Sequence, residues 1–460
     1  MFSRAPNAAG AAATAKSSSE FFAACFWVPA LYFVQGLPNT FVDQVAPVFL
    51  KDLRLDNSLI IAIGAWAYLP WTLKALWAPL VDGVGKKRTW IIATQFALAA
   101  TMCVLALGIV AAAGTPAFAW LVVIILATMA AISATHDVAA DGFYIIALNS
   151  GNQALFSGVR STFFRLATIF GKGGIIALAG VLILATNPTQ GAEQSGSLAP
   201  EIAKVAWGEI AFGLAIVVAI FAVVHSLILP RPASDMPAVR QRGLLGRNFV
   251  ATWKSFFAAK HVALLFAVLL LYRLGEVQIA TVSTLFFKDA AASGGLGLDN
   301  IDLGLLSGTI GTVALLAGGI VAGIAVAWRG LRFWLWGMLF WLNLPDLIYV
   351  AFAHWQPTGN VVIGAGILVE QFGYGFGFAG YMLYMIFACR EGEHRVAHYA
   401  ICSGIMALGA MLPKLWTGAL LDALGYENFF WWAIACSIPA FFVVARARKF
   451  LPADFGKKVA

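Results

Sequence analysis

Charged residues are scarce in this chain. Asp, Glu, Lys and Arg make up 11% of the 460 residues and hydrophobic residues make up 61%, whereas a soluble protein carries about 25% charged residues. The apolar residues form continuous runs, not the alternating pattern of a membrane β-barrel. Backbone polar groups inside a bilayer must find partners within their own segment, so these runs predict spanning helices. We expect an all-α integral membrane protein.

Cysteine and histidine are too few and too scattered to indicate catalysis or metal binding. The five cysteines lie in or beside apolar runs, without the spacing of a disulfide framework or a metal site. Free cysteine is commonly a small packing residue in protein interiors. The sequence also lacks a Gly-rich strand-to-helix turn and a nucleophile with its base. We therefore expect no enzyme activity, no metal and no cofactor.

Twelve apolar runs are long enough to cross a bilayer, which takes about 20 residues. They cover approximately residues 21–45, 58–81, 89–112, 117–147, 156–186, 205–230, 262–286, 302–328, 333–353, 360–389, 396–423 and 428–445. A basic connection divides them into two sets of six. The predicted organisation is a disordered tail (1–19), an N-terminal six-helix half (20–230), a cytoplasmic linker with an interfacial helix (231–260), a C-terminal six-helix half (261–445) and a cytoplasmic tail (446–460).

Basic residues are distributed unevenly along the chain. If the N-terminus is cytoplasmic, the cytoplasmic segments contain 20 of the 30 Lys and Arg residues, whereas the external loops contain four. Membrane proteins concentrate positive residues in their cytoplasmic loops. We therefore expect both termini in the cytoplasm. The net charge of +8 follows from this distribution and does not indicate a nucleic-acid partner.

Ionisable residues interrupt the fourth and fifth spans. Asp137 and Asp141 lie four residues apart and share one helix face, and the next span carries Arg160, Arg165 and Lys172. Charges at membrane depth are costly and mark a functional pathway by default. Asp137 and Asp141 are the first candidates for binding protons, and Arg165 and Lys172 suit an anionic group. Alternatively, the aspartates hold the two spans together through Arg160 or Arg165.

The second half repeats this placement of charge. Glu276 in the seventh span and Glu370 in the tenth are further proton-binding candidates, and Arg273 lies three residues from Glu276, so the two can pair with each other. Other charged, polar or aromatic residues in the spans are candidates for binding a substrate, namely Gln35, Asn39, Tyr68, Lys74, Arg273, Gln371 and Tyr374. Hydrogen bonds between helices, or packing for the tyrosines, are the alternatives. Asp43 lies near the predicted external end of the first span, where solvation alone would explain it.

The turn between the second and third spans carries a charged motif. It reads Asp82-Gly83-Val84-Gly85-Lys86-Lys87-Arg88 and resembles the signature loop of the major facilitator superfamily. Such a helix-end carboxylate and basic loop can pair with another helix end in one conformation only, as a gate does. Asp82, Gly85 and Lys86 are therefore gating candidates, together with Arg160. An ordinary positively charged turn would explain the lysines but not Asp82.

Six spans, a basic linker and six further spans are typical of the major facilitator fold, whose two halves are parallel repeats. Several stretches resemble one group of that superfamily, the AmpG-type permeases. The matching residues are Leu69-Pro70-Trp71-Thr72-Leu73-Lys74, Trp77-Ala78-Pro79-Leu80-Val81-Asp82, His136-Asp137, Asp141-Gly142-Phe143, Gly158-Val159-Arg160-Ser161-Thr162-Phe163-Phe164-Arg165, Leu342-Asn343-Leu344-Pro345, Glu370-Gln371-Phe372-Gly373-Tyr374-Gly375 and Ala397-His398-Tyr399-Ala400. The resemblance covers nearly all spans between Leu31 and Phe442.

The resemblance implies a permease of the cytoplasmic (inner) membrane that imports a cell-wall-derived amino sugar or muropeptide with protons by alternating access. It implies that the partners are a small-molecule substrate, protons and the lipid bilayer, and we expect a monomer. Two alternatives stay open. One is uptake of a siderophore or another anionic metabolite by a related permease. The other is a membrane sensor that keeps the fold without transport.

Overall fold

The computed structural model describes residues 8–148, 150–186, 200–236, 253–390 and 395–457. Every regular element within these ranges is a helix. The all-α prediction is therefore confirmed for this part of the chain. Predictions for residues 1–7, for most of the linker (237–252) and for the end of the tail (458–460) concern residues outside these ranges.

The N-terminal half contains six helical spans, α1 to α6, three of which are broken or locally irregular. The regular helices are α3 (Lys87–Ala112), α4 (Phe118–Ala147) and α6 (Pro200–Ile228). A π-helical turn interrupts α1 (Ala8–Thr40, turn Phe41–Val45, Ala46–Asp52) and α5 (Ser150–Thr168, turn Ile169–Ile175, Ile176–Thr186). A 3-10 turn interrupts α2 (Asn57–Leu73, turn Lys74–Leu76, Ala78–Gly83). The proline at 70 and the 3-10 turn explain why α2 is not one straight helix.

The C-terminal half follows the same plan with α7 to α12. α7 consists of Val262–Leu271 and Leu274–Lys288, and α9 of Leu331–Asn343 and Leu347–Trp355. α8 consists of Asn300–Leu303, a π-helical turn over Gly304–Ile310, and Gly311–Arg329, and α10 is Asn360–Ala388. α11 begins with Arg395–Met411 and resumes in the helix Lys414–Arg448. Gly425 has φ 68° and ψ 170° inside that last helix, and we take it as the boundary between α11 and α12.

Ten helices of the described chain are long and apolar enough to cross a membrane. The last of them covers 48 residues, Ile401–Arg448, which is twice the length that one crossing requires. α2 is not among the ten because it is broken. Counting α2 and dividing the last helix at Gly425 gives an arrangement that fits the twelve predicted spans.

Two boundary segments differ from the sequence-based prediction. The first helix begins at Ala8, inside the predicted disordered tail, because residues 8–15 are rich in alanine, the strongest helix former. At the end of the linker, residues 253–257 are helical, but Phe256 is 1% exposed and packs against Phe266 and His398 of the C-terminal half. This end of the linker is therefore anchored to protein on one face, while Phe257 remains exposed.

The two halves approach each other closely along two seams. In the first, the π-helical turn of α5 lies against that of α8, and a β-carbon on Gly308 would collide with the Lys172 carbonyl. In the second, α2 meets α11 where Gly418 lies against Ser58. Small residues let helix backbones approach in a membrane. Both seams reach the ends of these helices that are predicted to be external.

Four charged residues join the halves at the same end. Lys51 and Asp52 end α1, Lys288 ends α7, and Asp289 follows it. They pair reciprocally, with Lys51 Nζ 2.5 Å from Asp289 Oδ1 and Lys288 Nζ 2.6 Å from Asp52 Oδ1. We call this set the Lys-Asp clasp. Because α1 and α7 are equivalent helices of the two halves, the clasp is a contact between equivalent positions.

Hydrogen bonds complete the clasp on both sides. Asp52 Oδ2 accepts from Asn300 Nδ2 at 2.7 Å and from Trp207 Nε1 at 2.8 Å. Asp289 Oδ2 accepts from Tyr426 OH at 2.6 Å and from Asn57 Nδ2 at 2.7 Å. The Asp52 and Lys288 side chains are only 5% and 4% exposed, so this ion pair is deeply buried. Buried charges need such complete pairing to be tolerated.

The clasp was not predicted, although its signal is visible in the sequence. Phe49-Leu50-Lys51-Asp52 and Phe286-Phe287-Lys288-Asp289 repeat one pattern of two apolar residues followed by Lys-Asp. Charges at helix ends are commonly solvated, so the sequence alone gave no reason to pair them. The reciprocal pairing depends on how the halves meet.

Candidate functional site

A cavity of about 460 Å³ lies between the two halves. The N-terminal half contributes Asn39, Asp43, Tyr68, Arg165 and Lys172 to its lining. The C-terminal half contributes Arg273, Glu276, Glu370, Gln371, Tyr374 and Lys414. Nine of these eleven residues were predicted as binding or proton-coupling candidates, and Asp43 and Lys414 were not. The cavity has the size of a small-molecule site and contains an unusual density of charge for the interior of a membrane protein.

Irregular helix geometry positions two of the charged side chains. Asp43 lies in the π-helical turn of α1 and Lys172 in that of α5. A π-helical turn shifts the faces of the helix on either side of it and is frequent at functional sites. Gly171 allows the two turns to meet, since a β-carbon there would lie 2.6 Å from Thr40 Cγ2. The turns therefore direct Asp43 and Lys172 into the same space.

Asp43 is paired across the cavity, and the interpretation that it is merely solvated is wrong. Lys414 Nζ of α11 lies 3.0 Å from Asp43 Oδ1, and Gln44 Nε2 donates to Asp43 Oδ2 at 2.6 Å. The Lys414 ammonium also lies 5.1 Å from the Tyr68 ring centre. The sequence misplaced Asp43 because α1 continues to Asp52, which puts Asp43 roughly 14 Å below the helix end.

Arg273 and Glu276 pair with each other on α7. Glu276 accepts from Arg273 Nε at 2.8 Å and from Arg273 Nη2 at 3.3 Å. Arg273 also donates to Tyr374 OH at 3.1 Å and lies 4.9 Å from the Phe378 ring centre. The pairing that their spacing allowed is therefore present, and both residues also line the cavity.

Glu370 is a buried residue of the cavity lining, with 7% exposure. Its Oε2 accepts from Gln371 Nε2 at 2.9 Å and from Tyr349 OH at 3.3 Å. All three residues belong to the C-terminal half. The Glu370 carboxylate therefore has hydrogen bonds but no ion pair among the residues that the structure describes.

Arg165 and Lys172 are the cavity cations that lack a direct partner. Within the described ranges, neither guanidinium nor ammonium makes a hydrogen bond or an ion pair, whereas Arg273 and Lys414 are both paired. Lys172 does lie within electrostatic range of Asp43 and Glu370. Two cations on one wall of a concave site are arranged to receive an anionic group.

The four remaining candidates lie outside the cavity lining. Lys74 Nζ is 3.6 Å from Asp137 Oδ2, which also contacts Gln35. Asp141 Oδ1 lies 3.0 Å from Arg160 Nη2 and accepts from Tyr32 OH at 3.1 Å. All of these residues belong to the N-terminal half. The Asp141–Arg160 pair joins α4 to α5, as in the alternative in which the aspartates hold these two spans together, whereas Asp137 contacts Lys74 of α2.

Several bacterial proteins resemble this chain over most of its length. It is 23% identical to the anhydromuropeptide permease of Escherichia coli, with 92% of this chain and 79% of that protein covered, and 24% identical to an uncharacterised protein of Haemophilus influenzae, with 88% and 90% covered. Residues 25–162 match the family model described as acetyl-coenzyme A transporter 1. Two solved structures share its fold. One is a D-xylose-proton symporter, with a TM-score of 0.67, 13% identity, and 95% of this chain and 99% of that chain covered. The other is an inward-facing bacterial homologue of the human lysosomal transporter Spinster, with a TM-score of 0.66, 13% identity, and 94% and 97% covered.

The chain has the fold of major facilitator superfamily transporters. In sequence it resembles the AmpG-type permeases, as we predicted. Its long apolar helices are those of a multi-pass membrane protein, and the named relatives are described as permeases or transporters. A cavity between two helical halves is where a transporter of this fold binds its substrate, so the cavity described above is the candidate site.

The predicted gating loop contacts the start of the linker. Asp235 accepts from the backbone amides of Lys87 and Arg88 at 2.7 and 3.1 Å, and so caps the N-terminus of α3, where a carboxylate is favoured. Gly85 has φ 73° and Lys86 is exposed. Asp82 lies in α2, and its side chain is outside the described set. Asp235, which the sequence did not single out, thus anchors the loop.

Proposed function

We propose that this transporter imports an anionic, cell-wall-derived amino sugar or muropeptide with protons, by alternating access of the central cavity. The observation that carries the proposal is the pair of cavity cations, Arg165 and Lys172, that lack a direct partner. A substrate carboxylate would supply the missing negative charge, and a guanidinium can bind it through two parallel hydrogen bonds. A neutral sugar would leave both cations unpaired inside the protein, which is unfavourable.

Aromatic rings in the same cavity support a substrate with sugar rings. Tyr68 and Tyr374 line it from opposite halves, and Phe378 stacks on Tyr374 with ring centres 5.7 Å apart. Such rings supply apolar area and hydroxyl groups together. The cavity of about 460 Å³ lies within the usual range of roughly 300–1,000 Å³ for small-molecule sites.

The proposed coupling to protons relies on carboxylates within the cavity. A coupling carboxylate must change its proton affinity between two conformations. Asp43, Glu276 and Glu370 line the cavity, whereas Asp137 and Asp141 have partners within the N-terminal half. We place both termini in the cytoplasm of a cell with an inner membrane, because the basic residues are concentrated on that side. Import then begins from the face that the Lys-Asp clasp closes in this structure.

Uptake by purified protein in proteoliposomes tests substrate and coupling together. The panel consists of radiolabelled N-acetylglucosaminyl-anhydromuramyl tripeptide, N-acetylglucosamine, a ferric siderophore and acetyl-coenzyme A, each with and without an imposed inward proton gradient. We expect the anhydromuropeptide to accumulate and the gradient to increase its accumulation. Accumulation of the siderophore or the coenzyme A ester instead would replace the proposed substrate. Uptake that ignores the gradient would remove proton coupling.

Replacing both span-four aspartates tests their role. We expect Asp137→Asn with Asp141→Asn to keep gradient-driven uptake within about threefold of the parent, since both aspartates lie outside the cavity lining and a partly exposed ion pair such as Arg160–Asp141 contributes little, typically below 1 kcal/mol. The Arg160 and Asp141 side chains are 37% and 41% exposed. Initial uptake rates at matched protein content are the measurement. If the double variant still exchanges substrate but no longer responds to the gradient, the aspartates are the coupling residues.

A further inference from the structure

The ion pair between Asp43 and Lys414 is a direct contact that crosses the cavity. Asp43 belongs to the N-terminal half and Lys414 to the C-terminal half, 371 residues away in sequence. Their side chains are 27% and 14% exposed, so the pair is largely shielded by protein. Any movement that separates the halves at this level must lengthen or break this 3.0 Å contact.

The other cavity carboxylates have partners that move with them. Glu276 pairs with Arg273 on its own helix, α7. Glu370 accepts hydrogen bonds from Tyr349 and Gln371, both in the C-terminal half. When one half rotates against the other, these contacts can stay intact. Glu370 does lie within electrostatic range of Lys172 in the other half, but within the described ranges neither carboxylate has a direct ion pair across the cavity, as Asp43 has.

Both members of the pair lie at breaks in their helices. Asp43 is within the π-helical turn of α1. Lys414 directly follows Pro413, where α11 is interrupted between Met411 and Lys414. Breaks of this kind absorb local backbone changes more easily than a regular helix does. The two charges are therefore placed where their separation can change without distorting a whole span.

We infer that Asp43 is the carboxylate that binds the transported proton and that Lys414 controls it. This inference rests on the proposed proton coupling. With Lys414 in contact the carboxylate is ionised. When the halves move apart, a proton adds to a carboxylate oxygen of Asp43, and the Lys414 ammonium becomes available to the substrate anion. A nearby cation favours the charged form of a carboxylate, and burial without one favours the protonated form.

Other titratable groups face Asp43 and bear on its titration. Lys172 of α5 contributes positive charge, and Tyr68 of α2 and Tyr374 of α10 lie within electrostatic range. Lys172 remains on the same half as Asp43 during a movement of the halves. Lys414 is thus the facing cation whose distance from Asp43 depends on the conformation.

The test measures conformation against pH and needs no substrate. The full-length protein, with its five cysteines replaced, carries one spin label at V84C in the N-terminal half and one at D454C in the tail. The tail reports on the C-terminal half because Leu331 N donates a hydrogen bond to Phe455 O at 2.9 Å. Double electron–electron resonance gives the distance distribution in nanodiscs at pH 8 and pH 5. We expect the labelled parent to shift between two distributions over this range.

Four variants in the labelled background give the expected pattern. D43N and K414Q should each show the low-pH distribution at both pH values, because neither can form the ion pair. The exchange D43K/K414D restores opposite charges and should regain the pH shift. Glu427→Gln, which removes a carboxylate that contacts His354 outside the cavity, should shift as the parent does. Size-exclusion profiles confirm that each variant is folded.

Several outcomes would overturn the inference. A parent that does not respond to pH overturns it, as does a D43N variant that retains the shift. A shift abolished by Glu370→Gln but not by D43N would assign the proton to Glu370. The uptake assay distinguishes failure of this inference about Asp43 from failure of the proposed function. If Asp43 controls the pH shift but no gradient-driven uptake occurs, the proposed transport reaction fails and Asp43 remains a proton-binding residue.

Discussion

Replacing Asp52 with Asn is expected to open the predicted external face of the transporter. The substitution leaves the Lys288 ammonium, 4% exposed in this structure, buried without a counter-charge. Removing one partner of a buried ion pair costs about 3–5 kcal/mol. When the halves separate here, Lys288 can reach water, so the cost falls on the closed conformation. A shift of about 3 kcal/mol changes the ratio of two conformations more than 100-fold.

Labelling of a cavity cysteine from outside measures this opening. Thr281 lines the cavity, and in a cysteine-free background T281C would react with a membrane-impermeant maleimide added to right-side-out vesicles. We expect slow labelling with an intact clasp and a much faster rate with Asp52→Asn. The matched control reverses all four charges, as K51D/D52K/K288D/D289K, so that the reciprocal pairs remain. Equal labelling of Asp52→Asn and its parent would contradict a role for the clasp in closing this face.

Replacing Lys172 with Met is expected to weaken transport of anionic substrates strongly. The ammonium has no direct partner in the described cavity, so its removal costs the empty protein little and the substrate complex a charge-assisted hydrogen bond. Such a bond contributes about 1.5–3 kcal/mol, which corresponds to a loss of roughly 10- to 100-fold in kcat/KM. Removing Arg165 as well, by Arg165→Met, should abolish saturable uptake of the anion.

Saturable uptake of the anhydromuropeptide and its binding by calorimetry are the measurements. Lys204→Gln is the matched control, because Lys204 is a cation outside the cavity that pairs with the exposed Glu201. It should leave both quantities unchanged. A Lys172→Met protein that binds the anion as tightly as the parent would contradict the assignment of this wall as the anion site. Improved binding of a neutral sugar by the same variant would further support it.

Local sequence properties predicted much of this protein. The low charge and long apolar runs determined a helical membrane protein, and the segments near Lys74, Asp82, Asp141 and Glu370 predicted its resemblance to the AmpG-type permeases. Candidate residues in the cavity were found because a charge inside an apolar span is conspicuous in the sequence itself. The pairing of Arg160 with Asp141 could be proposed for the same reason, since adjacent antiparallel spans bring such positions together.

Contacts between the halves could not be read from the sequence. Asp43 was taken as solvated, and Lys414 had no predicted partner, because the rotation of one half against the other decides which residues meet. The pairing within the Lys-Asp clasp could not be predicted for the same reason, since its two Lys-Asp dipeptides lie at helix ends in different halves.

The sequence by itself determined which residues lie in the membrane, because hydropathy and charge act residue by residue along a helix. The tertiary structure alone decided which charges pair between the halves, and that Arg165 and Lys172 lack a direct partner among the described cavity residues. The physical reason is that electrostatic pairing depends on distances of a few ångströms between side chains that are hundreds of residues apart in the chain.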